Sequence, residues 1–111
     1  MRLNPTILRW TPPASYTDGS AFGAADFRGY EFAYRPVGAV DLIPVVVLVI
    51  PLALGDTSVP IAQLQLPQNV ELEVAMRVVA VNGQASSYAF ANDTVRFDAR
   101  VPSPPSAVSV A

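Results

Sequence analysis

The chain has 111 residues, 51% of them apolar, with nine acidic residues, seven arginines, no lysine and a formal net charge of −2. A chain of this length builds one domain around a single core, and seven scattered arginines form no basic stripe to neutralise a phosphate backbone, so nucleic acid is not expected as a partner. Cysteine and histidine are both absent, which removes disulfides, thiolate and imidazole metal sites and neutral-pH proton shuttles, so neither metal nor cofactor is expected.

Met1–Pro5 carry one positive charge without the apolar run of a secretion signal, so export by that route is not expected. Thr6–Trp10 reads as a strand with Leu8 and Trp10 on one face, stopped by Pro12-Pro13 because proline cannot donate to a ladder. A polar loop fills residues 14–28. "GYEFAYRP" then alternates, setting Tyr30, Phe32 and Tyr34 against Glu31 and Arg35. Residues 44–66 hold two further strands bounded by Pro44, Pro51, Pro60 and Pro67, a spacing that suits sheet edges. The most apolar run, residues 42–54, is interrupted by proline and falls short of the roughly 20 residues that span a bilayer, so no membrane contact is expected.

"VELEVAMRVVAV" is the longest alternation, with Val70, Leu72, Val74, Met76, Val78 and Ala80 on one face and Glu71, Glu73 and Arg77 on the other. Asn82-Gly83 marks a turn. "TVRFDARV" repeats the pattern over residues 94–101, with Val95, Phe97, Ala99 and Val101 facing inward, and these two strands are expected to lie antiparallel. There is no amphipathic helix and no repeat. Short strands separated by turn signals predict an all-β fold, an antiparallel β-sandwich.

The order "ILRWTPPASYTDGS", "GYEFAYRP", "VAMRVVAVNG" and "TVRFDA" resembles a fibronectin type III domain, of immunoglobulin-like topology, over about residues 6–101. The resemblance makes Trp10 the core residue between two sheets, joined by Tyr30, Phe32, Val78 and Phe97. It implies a domain over residues 1–101 and a proline-rich C-terminal arm over 102–111. Two features depart from the family: no tyrosine stands early in the penultimate strand, and the first strand of the family, strand A, is missing or vestigial. The arm "VPSPPSAVSVA" in turn reads as a proline linker followed by a spare strand. In the family's topology the first and last strands run the same way, so a self-return must span about 30 Å, the length of a nine-residue strand. Residues 102–106 in polyproline geometry cover only about 16 Å. Ala107, Val108, Ser109 and Val110 are therefore expected to supply strand A in trans, to a neighbouring molecule.

A second interface is expected at Val45, Val46, Val47, Leu48, Val49 and Ile50. Six consecutive aliphatic residues on a strand face both ways and only one face belongs to the core. The outer face is covered either by another subunit or by the chain's own loop 36–43. Glu71 and Glu73 stand about 7 Å apart along one strand face, spacing that suits an acid/base pair, but glutamates in this position ordinarily keep a sheet surface soluble, and no enzyme is expected. Asp18 and Asp26 lack calcium-loop spacing, and "NDT" at Asn92–Thr94 fits a glycosylation acceptor, which matters only in a secreted eukaryotic protein. Tyr16, Phe22, Phe27 and Tyr88 either cap the core or form loop binding surface. The expected function is that of a structural module in a larger symmetric assembly of protein copies. The resemblance implies a bacteriophage virion as its setting, in capsid, tail or fibre. The alternative is an adhesion or carbohydrate-associated module of a secreted protein.

Overall fold

The computed structural model describes residues 1–45 and 52–111. Two long alternating segments dominate it. β3 (Phe27–Pro36) pairs antiparallel with β6 (Leu72–Ala80), in the register Tyr30↔Val78, Phe32↔Met76 and Tyr34↔Val74. These pairs form the inner face. The outer face alternates Glu31↔Arg77, Ala33↔Ala75 and Arg35↔Glu73, so each charged residue meets its opposite across the ladder, and both pairs close as salt bridges. Ala33 and Ala75 are nonetheless buried, because they sit between the two ion pairs and Phe90 stands opposite Ala75. The Arg35 guanidinium caps the Phe90 ring at 4.6 Å, and Arg77 caps Tyr88 at 4.7 Å.

Around this pair the chain adds β1 (Arg2–Leu3), β4 (Ile43–Pro44), β7 (Ala89–Phe90) and β8 (Val95–Arg96) in the order β1-β8-β6-β3-β4, with β7 also on β6. A second, two-stranded sheet joins β2 (Ile7–Arg9) antiparallel to β5 (Ser58–Pro60). The fold is all-β apart from a 3₁₀ turn at Ile61–Leu64, whose threefold repeat brings Ile61 and Leu64 to one side. Both are buried there, in a cluster with Val59 and Leu66 that meets Phe32, Leu72, Val74 and Val95 of the larger sheet. Among the described residues no helix is long and apolar enough to cross a membrane.

Three sequence expectations change. The large sheet is mixed, since β1 runs parallel to β8; a two-residue strand is too short to leave an alternation in sequence. The alternation over residues 94–101 yields only Val95–Arg96 as strand. There the ladder is diverted: Asn4 Nδ2 donates to the Asp98 carbonyl at 3.1 Å, the Asp98 N–H donates to Asn4 Oδ1 at 2.9 Å, and the Asp98 carboxylate accepts from the Arg100 N–H and guanidinium. Those Arg100 bonds hold the Asp98 carboxyl down at about 2. Asn4 makes this turn with φ 49°, a conformation asparagine tolerates better than most residues. Val78 is only half-buried and stands apart from the core cluster, because the covering β2–β5 pair is three residues long and does not reach that end of β6. Ala107–Val110 form no strand within this chain.

The remaining expected core residues are placed unequally. Phe32 is 1% exposed, while Trp10, Tyr30 and Phe97 are half-buried and pack against the cluster. The Asn82-Gly83 turn follows β6, with Gly83 at φ 88° and its N–H donating to the Ala80 carbonyl at 3.0 Å.

Candidate protein-binding site: the free edge of β2

The backbone of β2 fixes which of its groups are committed. Trp10 N–H donates to the Thr57 carbonyl and Ile61 N–H to the Thr6 carbonyl, each at 2.9 Å, so residues 6, 8 and 10 turn their polar groups toward β5. In an antiparallel ladder the intervening residues turn theirs away. The N–H and C=O of Ile7 and Arg9 therefore point off the sheet, and among the described residues β2 pairs with β5 alone.

Beside that edge a cleft of about 670 Å³ opens between the two sheets. Leu8 and Trp10 line one wall, Val74 and Met76 the other, and Phe90 and Val95 border it. Trp10 sets its ring edge-to-face against Tyr30 at 5.2 Å and Phe32 at 5.8 Å, geometry that favours aromatic pairs beyond area burial. Its Nε1 is buried and makes no well-formed hydrogen bond among the described residues. The adjacent Tyr30 hydroxyl donates to the Leu54 carbonyl at 2.8 Å. Burial pushes the Tyr30 phenol up, opposed by the nearby indole of Trp10.

The arm stands clear of this cleft. Every residue from Val101 to Ala111 is exposed, with Val108 82% and Val110 102% exposed. The molecule measures 74 × 29 × 22 Å with a radius of gyration of 18.4 Å, against about 13 Å for a compact chain of this length. Ala107 sits at φ 56°, in the left-handed region.

Of the second expected interface, Val45 packs against the core cluster and its N–H donates to the Phe32 carbonyl at 2.9 Å. Val46, Val47, Leu48, Val49 and Ile50 lie outside the described residues. Glu71 accepts from Thr94 Oγ1 at 2.8 Å and Glu73 pairs with Arg35, so both carboxylates are engaged locally. Asp18 accepts from the N–H and hydroxyl of Ser20, which lowers its pKa, and Asp26 accepts from the Gly23 N–H. Among the described residues no three acidic groups converge as a metal site would require. Tyr16 packs edge-to-face on Phe22 at 5.0 Å, and Phe27 packs tilted against Tyr30 at 4.9 Å. Together with Tyr88 beneath Arg77, the loop aromatics are committed to intramolecular packing.

Comparison of the chain with protein-family models, with curated proteins and with solved structures finds no match. The cleft was only half visible in the sequence. An open edge beside Ile7–Trp10 follows from the family pattern, whereas the contribution of Met76, Phe90 and Val95 depends on which strands meet in space.

Proposed function

We propose that this chain is a non-enzymatic structural module whose copies lock into a larger symmetric protein assembly. Its fibronectin type III-like order of strands suggests a two-sheet sandwich, and a bacteriophage virion, as capsid decoration, tail or fibre component, is the setting that resemblance favours. The observation that carries the reading is the arm. Val108 and Val110 of this exposed segment gain by leaving water against another molecule, and extended segments of this kind add to exposed sheet edges. The alternative of an adhesion or carbohydrate-associated module asks for a flat exposed aromatic platform, and Tyr16, Phe22, Phe27 and Tyr88 are spent on packing.

Sedimentation velocity of the intact chain across a wide range of concentration tests the proposal. The sedimentation coefficient is expected to rise with concentration as copies associate. A monodisperse monomer at every concentration would overturn the assembly reading.

A further inference from the structure

Resting on that reading, we infer that the cleft beside β2 is the acceptor for residues Ala107–Val110 of a second copy of this chain, seated antiparallel to β2 with Ser109 opposite Arg9. Antiparallel register then places Val108 beside Trp10 and Val110 beside Leu8. The strand period sends both valines into the cleft, toward Val74 and Met76, and leaves Ser109 in water. Ile7 and Arg9 hold the backbone groups that await a partner strand, and an arm in this register meets them with its own.

Three observations favour this occupant. Leu8, Trp10, Val74 and Met76 give the cleft an apolar floor, with Arg2, Arg9 and Asp93 also lining it, and residues 101–111 bring no charged side chain of their own into it. Val108 and Val110 are nearly fully exposed in the single chain and gain the most from leaving water. Ala107 occupies a left-handed conformation that alanine disfavours, and joining a ladder returns it to the extended region it prefers.

Each copy then gives an arm and receives one through different surfaces. Such a heterologous contact closes into a ring or grows into a filament according to the angle between successive copies.

The test uses two variants of the intact chain and their mixture. Ile7→Pro removes an N–H that points off the sheet, a substitution edge strands tolerate, and it blocks the acceptor edge. Val108→Asp with Val110→Asp disables the donor without touching the folded body. Each variant alone is expected to associate at least about 100-fold more weakly than the intact chain. Mixed, they are expected to form a one-to-one complex, because the arm variant still has a working cleft and the edge variant a working arm. If both variants associate as the intact chain does, assembly stands and the cleft assignment falls; if the mixture stays monomeric although both are folded by circular dichroism, the assignment falls as well. An intact chain that never associates removes the assembly reading beneath it. Should Ile7→Pro fail to fold, amide exchange in the intact chain decides: the Ile7 and Arg9 amides are expected to be protected where copies associate and to exchange freely on dilution. Free exchange within the associated species overturns the proposal.

Discussion

Phe32→Ala is expected to cost about 3 to 5 kcal/mol of folding stability, the range for truncating a fully buried aromatic residue. Phe32 is 1% exposed and sits where the sheets meet, opposite Met76 in the β3–β6 ladder and in the cluster formed with Leu72, Val74, Val59 and Ile61. The backbone around it is held by the longest ladder in the molecule, so the neighbours cannot collapse into the space and a cavity remains. Urea unfolding with an unchanged m-value measures the loss cleanly. A cost below about 1 kcal/mol would show that the sheets do not close over this position.

Trp10→Ala is expected to cost about 2 to 4 kcal/mol, less than Phe32→Ala because Trp10 is half-buried and one side of its ring lines the cleft. Trp10→Phe separates two contributions. It keeps an aromatic ring against Tyr30 and Phe32 while removing the buried Nε1–H, which has no well-formed hydrogen bond among the described residues, so little hydrogen-bond energy leaves with it. Phenylalanine at position 10 is therefore expected to restore most of the stability lost with alanine. Because the chain holds a single tryptophan, its fluorescence reports on the site directly. An emission maximum typical of a fully hydrated indole would contradict the placement of β2 against the core.

Legibility in the sequence followed strand length. β3 and β6 each present an apolar face and a charged face over nine or ten residues, and a period of two over that span has no helical reading. β1, β4, β7 and β8 are two residues each. A pair of residues carries no period, so their existence depends on the tertiary neighbours that happen to lie beside them. The alternation at residues 94–101 misled for the converse reason: Asn4, brought in from 94 residues away, binds Asp98 in place of a ladder partner. Val78 shares the inner face with Phe32's partner Met76, yet burial needed a covering strand whose length the pattern of β6 cannot disclose. The outer-face burial of Ala33 and Ala75 likewise arises from cross-strand ion pairs and from Phe90 in β7. For the candidate site, the arm was legible from its composition, and its acceptor edge only as a gap in a family pattern. The cleft required β6, β7 and β8 to be placed beside β2 in space.

Deletion of residues 102–111, followed by circular dichroism and sedimentation of the truncated chain beside the intact one, tests the central claim most directly. The arm is exposed throughout and forms no strand within its own chain, so the β-sheet spectrum is expected to be unchanged while concentration-dependent association is lost. Truncated chains that associate as the intact chain does would contradict the claim that the arm joins one copy to the next.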